Sequence, residues 1–319
     1  MNRYFIRRVL LVIPTLLGVT FIVFMLVRMI PGVEGVILGE HATAAQVKAV
    51  DHALGLDQPF YVQYFKWLGQ LLHGDLGKSV LRNTPISSDI KSRIGWTFEL
   101  GALAMLFSLV VALPVGVLSA MKQDSIWDFF ARSSAIAFLA VPSFWLATLL
   151  IVYGAVGVNF GIFTFHFTPP LGSRINHSLA DNLRLILPPA IILGIGLSGS
   201  VMRLTRTQML EVLRQDYIRT ANAKGLQTRV VIIRHAIKNA FIPIVTIIGL
   251  QVPILVGGSV ILEQIFSLPG MGFYLLQAIG QRDFTELQAV VLISATVVIL
   301  SNLAVDFTYS FLDPRIRGA

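Results

Sequence analysis

Six long apolar runs, separated by polar segments, dominate the pattern of the chain. They lie near 9–27, 97–121, 130–156, 184–204, 241–262 and 288–312. Each run is close to or longer than the roughly 20 residues that a helix needs to cross the hydrocarbon core of a bilayer. The pattern therefore predicts an all-α integral membrane protein with six transmembrane helices.

Composition agrees with a membrane location. Of the 319 residues, 55% are hydrophobic and 13% are charged, whereas soluble domains are about a quarter charged. The chain has no cysteine, which excludes disulfides, thiolate nucleophiles and cysteine-ligated metal sites.

The distribution of Lys and Arg predicts the orientation. Arg3, Arg7 and Arg8 precede the first apolar run, which is longer than the apolar region of about 7–15 residues in a signal peptide. We therefore interpret this run as a retained helix. Because basic loops stay on the cytoplasmic side, the basic segment 203–238 and the tail 313–319 indicate that both termini are cytoplasmic.

Four segments follow from these spans. They are an N-terminal transmembrane helix 1–30, an external segment 31–95, a five-helix transmembrane domain 96–312 and a cytoplasmic tail 313–319. Between Phe60 and Leu72 apolar residues recur at helical spacing, which predicts an amphipathic helix in the external segment. This helix either lies on the membrane surface or forms the core of a small lid.

Five prolines fall inside the predicted spans. They are Pro14, Pro114, Pro142, Pro243 and Pro253. Each can kink its helix, and such kinks either help to surround a pathway or serve only in packing.

No motif for catalysis or nucleotide binding is complete. Leu76-Gly77-Lys78-Ser79 resembles the end of a P-loop, but Leu72 occupies the position of the required first glycine. The 6 histidines have no metal-binding spacing, and no serine lies in a G-x-S-x-G elbow. We therefore predict no catalytic residue, no metal site and no cofactor bound by this chain.

Acidic residues are sparse in the spans. Glu99, Glu263 and Asp306 each stand near a predicted membrane edge, and no close carboxylate pair lies within a span, as a proton-driven carrier often has. Glu263 follows Gly257-Gly258-Ser259. It either borders a pathway or is a structural carboxylate.

The segment 203–238 holds eight basic residues. Anionic membrane lipid is an expected neighbour of such a segment. Tyr217 is its one aromatic residue, and non-specific binding of single-stranded nucleic acid uses aromatic side chains for base stacking. We therefore expect no nucleic-acid partner.

A short polar helix is predicted at 216–225. Asp216 can cap its N-terminus, Gly225 can end it in the left-handed conformation, and Lys224 suits the negative end of the helix dipole. A helix of about eight residues is shorter than the roughly 12–15 that persist alone in water. We therefore expect it to need support, for which a soluble partner is the candidate.

Two stretches here resemble the permease subunits of ABC importers. Residues 216–226 match the pattern D-Y-[IV]-R-T-A-x-A-K-G, which Leu226 follows, and residues 235–243 match H-A-[LI]-[RK]-N-A-x-[IL]-P. More narrowly, they are similar to the dipeptide/oligopeptide/nickel/glutathione permease family, and to the first permease of its pair. Further family-like marks lie at 55–59, 73–77, 268–272, 282–284 and 313–317.

Two departures from common patterns qualify the resemblance. Arg219 and Lys238 stand where the broad importer pattern has glutamate and proline, a departure that the peptide-type subgroup shares. Residues 32–35, Gly-Val-Glu-Gly, replace the usual G-D-P after the first span. The external turn at that point is therefore expected to differ in shape.

The resemblance implies a fold and a set of partners. The fold is the type I ABC importer permease fold, with a cytoplasmic coupling helix in the loop 205–240, between helices 4 and 5. The partners are a second homologous permease in a heterodimer, two ATPase subunits that bind ATP and Mg, an extracytoplasmic solute-binding protein and membrane lipid. The chain would be a transport subunit of the cell inner membrane and not an enzyme.

Within this interpretation the helix at 216–225 docks on an ATPase subunit. The residues assigned to it are Asp216, Tyr217, Ile218, Arg219, Thr220, Ala221, Ala223, Lys224, Gly225 and Leu226. Tyr217 and Ile218 are expected to be apolar contacts, and Arg219 and Lys224 polar ones. The positions of close approach to the partner are expected at Ala221, Ala223 and Gly225. The candidates for a gate or plug are Gly257, Gly258, Glu263, Pro269 and Gly270.

Alternatives remain for the transported solute and for the class of protein. Di- and oligopeptides are the leading substrates, and nickel or metal chelates, glutathione and opine-like solutes are alternatives with the same architecture. The distant alternative is a stand-alone secondary transporter or membrane enzyme. Against it stand the missing charge pairs in the spans and the missing catalytic cluster.

Overall fold

The computed structural model describes residues 2–29, 57–159, 164–168 and 179–312. Their helices and strands are, in chain order, α1 (Asn2–Arg28), α2 (Phe60–Leu72), α3 (Ile86–Met121), α4 (Ile126–Ala140), α5 (Ser143–Val156), β1 (Val158–Asn159), β2 (Thr164–Phe165), α6 (Leu179–Leu213), α7 (Asp216–Ala223), α8 (Thr228–Val230), a π-helical segment (Val231–Ile237), α9 (Lys238–Leu250), α10 (Val252–Ile265), α11 (Met271–Gln281) and α12 (Phe284–Leu312). The two short strands pair antiparallel, with Val158 opposite Phe165. Elsewhere the regular secondary structure of the described residues is helical.

Helix length and hydropathy in the described part of the chain fit six membrane spans. Segments of α1, α3, α6 and α12 are long and apolar enough to cross a bilayer, and two bent helix pairs raise the number to six if each pair is one span. The all-α membrane fold expected from the sequence is therefore confirmed. One helix differs in length, because α3 begins at Ile86, well before the predicted apolar run 97–121.

The run 130–156 does not form one straight span. α4 and α5 meet at an angle of 86°, with Val141 and Pro142 between them. Val141 is extended, at φ −86° and ψ 119°, as expected because a following proline disfavours the α conformation. Pro142 then precedes the first residue of α5, so this proline separates two helices.

The run 241–262 is also divided. Gln251 separates α9 from α10. A separate bend of 48° lies beside Pro243, between the segments Thr228–Phe241 and Pro243–Gly257. Of the other prolines, Pro14 and Pro114 lie inside uninterrupted helices. They cause no break in α1 or α3.

The chain contains two compact units. The first comprises Met1–Trp96 and Pro269–Leu303, and the second comprises Thr97–Leu268 and Ala304–Ala319. In the first unit the amphipathic helix predicted in the external segment is present as α2, and it packs on α1. Tyr64 is buried, its hydroxyl lies 3.0 Å from the Thr20 hydroxyl, and its ring meets Phe24 edge-on with the centroids 5.5 Å apart.

In the second unit α4 and α6 pack closely. A Cβ on Gly199 of α6 would lie 2.6 Å from the carbonyl oxygen of Ala135 in α4. Small residues at helix crossings allow such close approach in membrane proteins. Ala135 belongs to a buried cluster with Ala112, Val201, Met202 and Ile244, so α3, α4, α6 and α9 share one apolar core.

Candidate functional site

The polar helix predicted at 216–225 is present as α7. Its N-cap residue is Gln215, and no side chain caps the first turn. The prediction that Asp216 is the cap is therefore wrong. Asp216 is the first helical residue, where its charge still suits the positive end of the helix dipole; its side chain is 95% exposed and lies 3.6 Å from that of Arg219.

The C-terminus of α7 has the geometry that the sequence predicted. Gly225 has φ +76°, a conformation that glycine adopts without a steric penalty. Its N–H donates to the Asn222 carbonyl at 3.0 Å, and the Leu226 N–H donates to the Ala221 carbonyl at 3.4 Å. These two bonds form a Schellman motif, in which Lys224 is the C-cap.

One face of α7 is buried against its own chain. Ile218 is only 2% exposed and Ala221 is also buried. The cluster that covers them contains Ala120, Met209, Val231, Ile232, Ala236 and Ala240. The structure therefore contradicts two expectations: Ile218 is not an apolar contact for a partner, and the support of this short helix comes from its own chain.

The opposite face of α7 and the loop after it are exposed. We define the coupling surface as the exposed residues Asp216, Tyr217, Arg219, Thr220 and 222–230. Within it Tyr217 is 43% exposed, and its hydroxyl accepts a hydrogen bond of 2.9 Å from the Asn239 amide in the first turn of α9. The coupling surface therefore combines a tethered aromatic ring with the basic residues Arg219, Lys224 and Arg229.

A π-helical segment connects the coupling surface to α9. It spans Val231–Ile237, and its residues Val231, Ile232 and Ala236 belong to the cluster that buries Ile218. π-Helical turns are rare in proteins, and many of those that occur lie at functional sites. Because the sequence has no signal for i→i+5 hydrogen bonding, this segment was not predicted.

A buried ion pair in the second unit was also missed. The fully buried carboxylate of Asp128 in α4 accepts two hydrogen bonds from Arg206 in α6, from Nε at 2.7 Å and from Nη2 at 2.8 Å. The Ser119 hydroxyl and the Asp124 N–H also donate to it. Both residues lie outside the predicted spans 130–156 and 184–204, because α4 begins before the first of these spans and α6 ends after the second. The partners stand 78 positions apart, so no local pattern could indicate them.

The acidic candidates of the sequence have hydrogen-bond partners. Glu263 in α10 is fully buried, and the Thr97 hydroxyl donates to its carboxylate at 2.8 Å. Glu99 accepts a hydrogen bond of 2.9 Å from the Asn182 amide. The burial of Glu263 and its contact with Thr97 favour the interpretation of Glu263 as a structural carboxylate.

The other gate candidates lie on either side of the end of α10. Gly257 and Gly258 are in α10, and a Cβ on Gly257 would meet no atom within 4 Å. Pro269 follows α10, and Gly270 is the N-cap of α11. Between these two groups Ser267 has φ +53°, an unusual conformation for a residue other than glycine. Their role as gate or plug stays a prediction.

A polar cluster in the first unit involves the stretch that resembles a P-loop. The Ser79 hydroxyl donates to the buried carboxylate of Asp283 at 2.6 Å. Three positions later, Arg82 donates to Asp89 at 2.9 Å and to Glu286. The hydrogen bond that Arg82 donates to the Glu286 carboxylate raises the pKa of Arg82. These bonds show what Ser79 does in this fold: it holds its turn against the residues that begin α12.

Tyr274 in α11 lies beside the same cluster. Its ring is buried, with Arg93 4.6 Å from the ring centroid. Burial, together with the charges of Glu286 and Asp89, raises the pKa of Tyr274. No group of three His, Asp or Glu that could hold a metal ion occurs among the described residues; His41, His52 and His177 lie outside them.

Two family models match consecutive parts of the chain. Residues 112–318 match the model described as binding-protein-dependent transport system inner membrane component. Residues 1–100 match the N-terminal model of binding-protein-dependent transport system membrane components. Together they cover nearly the whole sequence.

Curated relatives match over their full length. The dipeptide transport system permease protein DppB of Escherichia coli (strain K12) is 40% identical over 99% of this chain and 99% of its own. The protein of the same name from Alkalihalophilus pseudofirmus is 39% identical, over 99% and 100%. The oligopeptide transport system permease protein AppB of Bacillus subtilis (strain 168) is 37% identical, over 99% and 100%.

A solved structure shares the fold. A chain of the MetNI methionine ABC transporter in an inward-facing conformation matches with a TM-score of 0.55 at 17% identity, over 69% of this chain and 94% of that chain. The fold is therefore that of a type I ABC importer permease. The chain belongs to the family of binding-protein-dependent transport system inner membrane components, in the dipeptide and oligopeptide permease group that its sequence resembles.

Proposed function

We propose that this chain is one of the two permease subunits of an ATP-driven importer of dipeptides and short oligopeptides. The relatives that support this substrate class are named as dipeptide or oligopeptide permeases. A third is the di/tripeptide transport system permease protein DppB of Pseudomonas aeruginosa (strain UCBPP-PA14), which is 39% identical over 99% of this chain. Full-length identity at this level favours peptides over the alternative solutes.

The proposal includes the partners. A second permease completes the pathway, two cytoplasmic ATPase subunits bind ATP and Mg, and an external binding protein delivers the solute. Both termini and the coupling surface lie in the cytoplasm, and the turn that contains Arg82 lies outside. The excess of Lys and Arg in 203–238 supports this orientation.

The observation that carries the proposal is the two-sided packing of α7. Its exposed side is free to contact an ATPase, and its buried side packs Ile218 and Ala221 into the cluster that includes Val231, Ile232 and Ala236. Close-packed contacts transmit displacement. Movement of α7 by an ATPase is therefore passed to the π segment and to α9, which follows it without a loop.

The ion pair between Asp128 and Arg206 assists this transmission. It joins α4 to α6 near the end of α6 that leads into α7. A fully paired buried carboxylate resists separation from its partner, because an unpaired buried charge is costly. We infer that α4 and α6 move as one body when α7 is displaced.

Energy for the transition comes from outside the chain. A partner can shift a conformational equilibrium only by binding its two states with different free energies. Closure of the ATPase subunits on ATP supplies that difference, and the permease couples it to the opening of the pathway.

The test uses the purified importer with both permeases and both ATPases. The variant R219E/K224E reverses two charges of the coupling surface without touching the buried face. We expect ATPase co-purification, or hydrolysis stimulated by the binding protein, to fall at least tenfold. The control R184E changes an arginine that is 79% exposed at the other end of α6, and it should leave both readouts unchanged.

A second variant addresses the end of the helix. Gly225→Val places a β-branched residue at φ +76°, which strains the Schellman motif and displaces 226–230. The chain should still insert and pair with the second permease but lose coupled hydrolysis. Normal peptide uptake by both variants would contradict docking through this surface, and uptake of nickel in place of a labelled dipeptide would contradict the substrate class.

A further inference from the structure

A groove lies between α4 and α6, beside the buried ion pair. Its volume is about 150 Å³. Ala135, Ile136 and Leu139 from α4 and Met202 from α6 form its apolar part. Ile136 is 67% exposed and Leu139 is partly exposed. The apolar part of the groove is therefore open to the outside of this chain.

The other part of the groove is basic. Arg132, Arg203 and Arg206 line it together with Ser119 and Thr207. Asp128 accepts both hydrogen bonds of Arg206 and lies 3.8 Å from Arg132. Three guanidinium groups against one carboxylate leave a net charge of 3 − 1 = +2 at this end.

The two outer arginines are available to a ligand. The side chain of Arg132 is 49% exposed, and Arg203 is exposed as well. Arg206, by contrast, is mostly buried and held by Asp128. The groove therefore presents two accessible cations directly beside an apolar channel, and the third cation is already neutralised.

This combination fits the chemistry of an anionic phospholipid. Basic pockets between transmembrane helices bind anionic head groups, and the long arginine side chain can place its charge at the interface while its stem lies along apolar surface. A free phosphate ion would use the arginines but not the apolar channel. A neutral phospholipid would use the channel but gain little from the excess positive charge.

We propose that the groove is a binding site for one anionic phospholipid molecule. Its phosphate lies between Arg132 and Arg203, and one acyl chain follows Ile136, Leu139 and Met202. The site rests on the membrane location of the chain and does not depend on the coupling role of α7. A lipid bound there contacts both helices that the ion pair of Asp128 and Arg206 joins.

The experiment uses the purified importer and a phosphatidylglycerol probe with a photoreactive group in the acyl chain. Crosslinked peptides are identified by mass spectrometry. We expect crosslinks in 135–139 and near Met202 in the wild type. In R132Q/R203Q they should fall about 25-fold, since each basic residue near the membrane surface contributes about fivefold to the affinity for anionic lipid.

Three controls separate charge from folding. R132K/R203K keeps the charge and should retain most of the crosslinking, and R184Q removes an arginine from α6 outside the groove and should have no effect. L139W narrows the apolar channel and should reduce crosslinking although both arginines remain. Elution of each complex as a single peak in size-exclusion chromatography shows that the variant has folded.

Several results would overturn the proposal. One is equal crosslinking by the matching phosphatidylcholine probe; another is competition by inorganic phosphate as strong as that by unlabelled phosphatidylglycerol. A third is crosslinking from a photoreactive residue at Ile136 to the second permease in place of lipid. Loss of crosslinking in R184Q equal to that in R132Q/R203Q would also count against the site.

Discussion

The environment of Asp128 depends strongly on a single partner, Arg206. Arg206 supplies two of its hydrogen bonds, and the carboxylate has no exposed surface. We expect Arg206→Met to lower the free energy of unfolding by about 3–5 kcal/mol, because it leaves a buried charge without its main partner. Thermal unfolding of the purified complex in one detergent measures the loss.

The double variant D128L/R206M is the control for this prediction. It removes both charges and leaves apolar side chains of similar reach, so most of the lost stability should return. Equal destabilisation by the single and the double variant would show that packing, and not the unpaired charge, accounts for the effect.

The raised pKa of Tyr274 predicts that the stability of the folded protein depends on pH. Its pKa in the folded protein is raised by burial and by Glu286 and Asp89, above the value of about 10 in an unfolded chain. As the pH rises, the unfolded state therefore loses its proton first. The contribution of Tyr274 to the free energy of unfolding is fully present below about pH 10. It is lost as the pH rises from there toward the pKa of Tyr274 in the folded state.

Tyr274→Phe tests this dependence. The variant has no phenolic proton, so its unfolding temperature should fall less steeply than that of the wild type between pH 9.5 and 11. Below pH 9 the two curves should run parallel. Parallel curves over the whole range would contradict the raised pKa.

At the scale of elements, the contact between α3 and α6 depends on a glycine. A Cβ on Gly194 would lie 2.6 Å from the Ala104 carbonyl oxygen, whereas a Cβ on Gly196 would meet no atom within 4 Å. We expect Gly194→Ala to destabilise the protein by about 1–3 kcal/mol, because the two helices must move apart. Thermal unfolding measures this.

Gly196→Ala is the matched control in the same helix, two positions away. It should be neutral or stabilising by up to about 1 kcal/mol, since alanine favours a helix interior over glycine. If both variants lowered the unfolding temperature alike, close approach at Gly194 would not be the cause.

Elements with local signals were predictable from the sequence. The spacing of apolar residues in 60–72 predicted α2, and Gly225 predicted the end of α7. Features that depend on distant partners were not predictable: Ile218 looked like a surface residue because Val231 and Ala236 become its neighbours only in the fold. Asp128 precedes the apolar run 130–156 and carries no sequence signal for its partner Arg206, and Pro142 gave no indication of whether it kinks or separates helices.

At the scale of the whole molecule, the proposed orientation has a direct test. The chain contains no cysteine, so a single introduced thiol reports its own side of the membrane. Thr220→Cys in the coupling surface should react with a membrane-impermeant maleimide only after the cells are opened. Leu81→Cys, which is partly exposed in the first unit, should react in intact cells from which the outer barrier has been removed.

Functional uptake by each single-cysteine variant is the control for correct assembly. Reaction of Thr220→Cys in intact cells would contradict the proposed orientation. It would show that the coupling surface lies outside, where a cytoplasmic ATPase cannot reach it.

The π segment has a further consequence for how the permease changes shape. Each of its i→i+5 bonds encloses one residue more than an α-helical bond does. The segment Val231–Ile237 therefore contains more residues per turn than the α-helix α9 that follows it. A change to the α-helical pattern would replace these i→i+5 bonds with i→i+4 bonds. It would rotate α9 about its own axis while Ile218 stayed in its buried cluster. Displacement of α7 would thus be converted into rotation of α9 within the membrane.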